Sequence, residues 1–191
     1  MDNSILALVA SFFAMSFAVS SYFVKKKYLY LLLQMFCILF LVASYFFSLQ
    51  FFAMIGLLIS LARVVAYYAY EKKDAVAPLW WAYLFSGLTI LAYLLVNLMI
   101  LKTAQYADLL LVLSNIGFAF VFRVRDLKIV RFGMLIPIIL AVLFNTITNA
   151  PLFATASYSF ELCANVISIY RYHIRGEKPK SEYMEKAGVE N

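Results

Sequence analysis

Glu161 is the side chain in this sequence best placed to do chemistry. It stands about ten residues from either end of the apolar stretch Pro151–Tyr172, and no other acid lies so deep in such a stretch. A carboxylate near a bilayer midplane is costly and belongs against a bundle interior or a wet cavity. Tyr158, Glu161, Asn165, Ser168 and Tyr172 follow a 3,4,3,4 spacing, which puts them on one face of a helix. Such a face can bind a cationic or hydroxylated solute or carry a coupling proton. It can equally serve packing, through an ion pair with Arg63 or through hydrogen bonds to neighbouring helices.

Two further stripes ask for the same interior: Gly56, Ser60, Arg63, Tyr67 and Tyr70 on one segment, and Gln34, Cys37, Ser44 and Ser48 on another. Arg63 lies within two turns of a boundary, so it either snorkels to headgroups or turns inward to Glu161. Asp108 and Asn115 are seven apart on one face; Asp108 reads as solvated near the boundary and Asn115 as deeper. Asn145, Thr146, Thr148 and Asn149 cluster at a segment end, where they line a vestibule or cap the chain. Catalysis finds no matching constellation. The single His173 is at a segment end, and no Cys/His/Asp/Glu group has metal-ligand spacing.

The elements that must hold these residues are transmembrane helices. Hydrophobic residues make up 65% of the chain and charged residues 14%, too few charges to cover a soluble 191-residue fold. A bilayer core of about 30 Å needs roughly 20 apolar residues per helix. Seven stretches qualify: Ile5–Val24, Leu29–Phe47, Phe51–Tyr70, Leu79–Leu101, Tyr106–Phe122, Leu127–Thr146 and Pro151–Tyr172. Lipid leaves backbone polar groups no partner outside the segment, so they read as helices. The alternation of barrel strands is absent.

The connecting segments sort the Lys and Arg residues 15 to 1 onto alternate sides, with Lys102 the exception. Basic residues stay cytoplasmic, which predicts the N-terminus out and the C-terminus in. The net charge of +6 is then explained by headgroup contacts, with no call for nucleic acid. No cleavable signal peptide is evident, so the first stretch is expected to persist. Cys37 and Cys163 read as small apolar residues, and Trp80 and Trp81 as interfacial anchors.

Sliding the first three helices onto the last three by 101 or 102 positions aligns Phe17-Ala18 with Phe118-Ala119, Arg63 with Asn165 and Tyr70 with Tyr172. Each half also has a short uncharged second connection and a basic exit. Two three-helix units of one orientation require an odd linker helix between them, a recognised transporter plan. On Ser60-Leu-Ala-Arg63, Asn145, Asn165 and Arg171-Tyr172, the chain resembles the YgjV family of bacterial inner-membrane proteins. An Asn would be expected where Ser60 stands. The 3+1+3 layout is also similar to SWEET-class sugar transporters and nicotinamide-riboside transporters, which implies solute binding between the units and facilitated diffusion. Pro137 has no proline counterpart in the first half, where Met35 or Phe36 aligns.

The expectation is an all-α integral membrane protein of seven helices in a 3+1+3 parallel repeat. Residues 1–175 form one domain (repeat one 4–74, linker helix 79–101, repeat two 106–175), followed by a flexible cytoplasmic tail, 176–191. The expected function is passage of a small polar metabolite across the bacterial cytoplasmic membrane. Its cavity would be lined by Glu161, Asn165, Tyr158, Arg63, Ser60, Ser44, Asn115 and Asn145. An ion channel and a non-transporting receptor or assembly subunit are the alternatives. No enzymatic activity, cofactor, metal or nucleic-acid partner is expected; the partners are the bilayer and a small solute, and self-association is compatible with the sequence.

Overall fold

A computed structural model describes residues 3–96, 106–149 and 152–174. Lys102, the far end of the fourth apolar stretch and the tail from 176 onward lie outside the described residues. Within them the chain is helical throughout, with short connections and no strands: α1 (Asn3–Phe23), α2 (Lys27–Phe47), α3 (Phe51–Lys72), α4 (Leu79–Tyr93), α5 (Tyr106–Val121), α6 (Leu127–Gly133), α7 (Leu135–Ile147) and α8 (Leu152–Ile169). Five segments are long and apolar enough to cross a membrane: α1, α2, most of α3, Leu79–Val96 and the combined α6–α7, Leu127–Ile147. α5 is shorter, at 16 residues. α8 has 18 residues, among them Glu161 and Asn165.

The predicted sixth helix is one span broken in the middle. Pro137 offers no N–H to the carbonyl of Gly133, four residues back, and its ring crowds that turn. The helix therefore interrupts between Gly133 and Leu135. α5 fits into the break. A Cβ on Gly117 would sit 2.6 Å from Pro137 Cγ, and one on Gly133 would sit 2.8 Å from Val121 Cγ2. Ser114 donates to the Pro137 carbonyl at 2.7 Å. These glycines serve close packing.

Small residues set the tightest helix contacts. Ala7, Ala10, Ser11, Ala14, Ala18 and Ser21 form the buried face of α1, where spacings of three and four let neighbouring backbones approach. That face meets α2 and α8. Further contacts join α2 to α3, α5 to α7, α7 to α8 and α3 to α5, with α4 beside α3 and α5 and α6 beside α5 and α8. Leu8, Phe12, Leu39, Leu113, Ile139 and Val166 are among the many large side chains left exposed, as a lipid-facing surface requires.

Three positive-φ residues close helices: Leu49 (φ 57), Asp74 (φ 57) and Asn149 (φ 48). Asn and Asp visit this region readily, whereas Leu is an unusual choice there. Leu49 and Asn149 hold matching places in the α2–α3 and α7–α8 connections.

The basic end differs from expectation in its burial. Lys27 pairs with Glu71 at 3.0 Å, with side chains only 7% and 9% exposed. Arg63 and Arg131 are 1% and 2% exposed, so neither snorkels. Arg125, by contrast, pairs with Asp74 at 2.7 Å in an exposed setting, and Arg123 donates to the Ala77 carbonyl. Asp108 is buried in the first turn of α5, not solvated. Trp81 stacks on Phe85 and donates to Tyr70, while Trp80 is 53% exposed, as an interfacial anchor would be.

Candidate functional site

α3 and α5 build one wall of a buried site. The Ser60 hydroxyl lies 2.9 Å from the Gly56 carbonyl of its own helix and 2.7 Å from Asn115 Oδ1 on α5, and these two acceptors share its single proton. One turn further along α3, Arg63 reaches the same turn of α5 and donates from Nη1 to the Asn115 carbonyl at 2.7 Å. Its guanidinium lies 5.8 and 5.5 Å from the ring centres of Phe118 and Phe122. Arg63 Nε has no hydrogen-bond partner.

Glu161, on α8, is the opposite wall, and it is held from α1 and α2. Tyr22 Oη donates to Oε1 at 2.9 Å, and Gln34 Nε2 donates to the same oxygen at 3.0 Å. Gln34 is itself fixed by a 3.0 Å bond to Ser21. With both donors on Oε1, Oε2 is the acceptor left to the interior. The Arg63–Glu161 ion pair, one of the alternatives the sequence offered, is not formed: each charge is anchored by its own set of neighbours, Arg63 from α5 and Glu161 from α1 and α2.

A cavity of about 30 Å³ separates the two walls. It is lined from α2 by Gln34, Cys37, Ile38 and Leu41, from α3 by Leu57, Ser60 and Arg63, from α5 by Asn115, Phe118 and Phe122, and from α8 by Tyr158 and Glu161. All of these except Phe118 are buried. That volume admits a water or two, which would supply the hydrogen bonds these polar groups lack. Beyond it toward the basic end, Tyr30 packs edge-on to both Tyr22 and Phe122, with centroids 5.6 and 6.0 Å apart. Beyond it at the other end, Tyr45 donates to Asn145 Oδ1 at 2.6 Å.

Of the eight residues singled out in the sequence, five meet at this cavity: Ser60, Arg63, Asn115, Tyr158 and Glu161. The other three lie outside its lining. Ser44 hydrogen-bonds Ser11 at 2.6 Å and ties α2 to α1. Asn145 is taken by Tyr45, and Asn165 donates to the Arg131 carbonyl at 2.8 Å. Tyr22 carries a first hydrogen bond to Glu161, yet nothing in the sequence distinguishes it among 14 tyrosines. Gln34 was visible on the α2 stripe. Among the described residues no three His, Cys, Asp or Glu side chains are grouped as a metal site.

The profile of a family described as a bacterial inner membrane protein, YgjV, matches residues 5–175 of this chain. The chain belongs to the YgjV family. Membership places it in the bacterial inner membrane, and the several long apolar helices make it a multi-pass protein there. No curated protein and no solved structure matches it. The YgjV match spans all the helices that line the cavity, and of the residues on which the likeness was first drawn, Ser60 and Arg63 line it directly.

Proposed function

We propose that this YgjV protein is a carrier that passes a small polar metabolite across the inner membrane. Two three-helix units, residues 4–74 and 106–175, would rock about the cavity between them, joined by the helix that begins at Leu79. The observation that carries this reading is a buried cavity bounded by charges from both units, Arg63 from the first and Glu161 from the second. A lipid-facing or purely structural role for Glu161 would need no such space.

The helix contacts support the two-unit plan. α3 meets α5 and α8 meets α1, so the last helix of each unit packs on the first helix of the other. Side chains bond backbone in both places: Tyr67 donates to the Ala119 carbonyl, and Ser168 donates to that of Tyr22. Tyr45 and Asn145 stand near corresponding positions and bond each other, as residues beside a two-fold axis along the membrane normal do. The contacts at either end, Tyr30 with Phe122 and Tyr45 with Asn145, favour alternating exposure over a continuous channel path.

In liposomes, the protein is expected to speed the flux of a small polar solute at least tenfold over empty vesicles, and Glu161→Gln to abolish that gain. Vesicles that stay tight across a broad metabolite panel while the protein remains folded would sink the carrier reading and favour a receptor. Single-ion conductance would favour a channel. The proposed orientation predicts that, in a chain lacking Cys37 and Cys163, Leu49→Cys reacts with an impermeant maleimide on whole spheroplasts. Lys73→Cys should react only after lysis. The reverse pattern would invert the topology.

A further inference from the structure

We propose that the cavity recognises a small zwitterion, with the carboxylate of the solute toward Arg63 and its ammonium group toward Glu161. This rests on the carrier reading and narrows it to a substrate class. Arg63 and Glu161 are 1% and 4% exposed, and both line the same cavity. A buried ionised group normally finds its opposite, because leaving it unpaired in a medium of low polarity costs several kcal/mol. Here the two opposite charges are each deep in the protein and do not pair with each other.

Their anchors keep them apart. Arg63 is held to α5 by a neutral carbonyl and flanked by two phenyl rings, none of which cancels its charge. Its Nε still lacks an acceptor. Glu161 is held by a phenol and an amide on a single oxygen, which leaves the other oxygen unengaged. The cavity is therefore short of one anionic acceptor on its Arg63 side and one cationic donor on its Glu161 side. A single solute with both groups supplies both. A lone cation would leave Arg63 unmatched, a lone anion would leave Glu161 unmatched, and a neutral polyol would neutralise neither.

Size and energetics agree. About 30 Å³ holds water alone, so any solute requires the units to part, and the smallest amphoteric molecules require least. Because a zwitterion has no net charge, its passage moves no charge through the membrane field. Flux is then insensitive to an imposed membrane potential.

The test uses purified full-length protein and four solutes of nearly equal size: glycine (zwitterion), glycinamide (cation), glycolate (anion) and glycerol (neutral). A ligand that binds the folded state raises the apparent unfolding temperature in a concentration-dependent way. Glycine is expected to do so, and the other three are expected to need at least tenfold higher concentration for the same rise. Removing one buried charge, in Glu161→Gln or separately in Arg63→Gln, should weaken glycine binding about 30-fold or more. Stabilisation by glycolate alone, by glycinamide alone, by glycerol as well as by glycine, or by none of the four overturns the proposal, and the wild-type comparison decides this even where a variant fails to fold. Labelled flux in liposomes separates the two readings. Glycine that stabilises but is not carried leaves the zwitterion site standing and removes the carrier. A neutral solute that is carried, with no glycine binding, does the reverse.

Discussion

Glu71→Ala is expected to lower the free energy of unfolding in detergent by about 3 kcal/mol, the lower end of what stranding one partner of a buried ion pair costs. Lys27 Nζ and Glu71 Oε2 are 3.0 Å apart with little exposure on either side. Each is also placed against its own helix dipole. Lys27 is the first residue of α2, where a cation is unfavourable, and Glu71 lies in the last turn of α3, where an anion is. The pair neutralises both faults together. Alone, Lys27 would keep a buried ammonium at a positive helix end, and the lower end of the range is taken because its stem can swing toward headgroups. Replacing both residues, as Lys27→Met with Glu71→Met, should recover most of the loss, since no charge is then stranded. A double variant as unstable as Glu71→Ala would show that packing, not charge, explains the effect.

The helices were legible because lipid gives the backbone no alternative, so length and composition decide the elements. The break between α6 and α7 was not read from the sequence, which offered one helix over Leu127–Thr146, although the N–H missing at Pro137 accounts for it. The site was legible in part, and the part follows a rule. A polar stripe identifies the face of a helix that turns inward, which brought Ser60, Arg63, Asn115, Tyr158 and Glu161 together. It does not identify which neighbour that face meets. Ser44, Asn145 and Asn165 also turn inward, but each bonds a nearby side chain or carbonyl and lies outside the cavity lining.

Charge was the weaker guide. Matching opposite signs suggested Arg63 for Glu161, whereas both are anchored by neutral groups, a carbonyl for the one and a phenol with an amide for the other, which leave Arg63 Nε and Glu161 Oε2 without a partner. A backbone carbonyl carries no signature in composition or spacing, and Gln34, though on the α2 stripe, carries none that assigns it to Glu161. The same applies to Tyr22, whose role depends on where the end of α1 lies against α8. Counting basic residues placed Arg131 correctly at the basic end of the molecule. It gave no sign that the side chain folds inward, because a basic residue at such a depth ordinarily reaches for headgroups.

Arg131→Ala is expected to cost about 3 kcal/mol, and lysine should restore less than half of it. Arg131 is 2% exposed and donates from Nη2 to the carbonyls of Tyr22 and Val24, both at 3.3 Å. These carbonyls belong to the end of α1 and the connection after it, whose acceptors lack helical partners. At 3.3 Å each bond is long and contributes about 1 kcal/mol, below the roughly 1.5–3 kcal/mol usual for a charged donor. The guanidinium carbon also lies 4.2 Å from the centre of the Tyr172 ring, a desolvated cation–π contact worth about 1–2 kcal/mol. Lysine keeps the charge but has no planar face to lay on the ring and no fork to span two carbonyls. A double-mutant cycle of Arg131→Ala with Tyr172→Leu should return a coupling of about 1–2 kcal/mol. Because α6 and the turn after α8 are joined here to the end of α1, the contact spans the two proposed units at the basic end. If the two units rock, its loss should favour opening on that side, so a cysteine at the Phe122 position should label faster in Arg131→Ala than in its parent. Full rescue by lysine, a coupling near zero, or unchanged labelling would each show that Arg131 is not the latch these contacts describe.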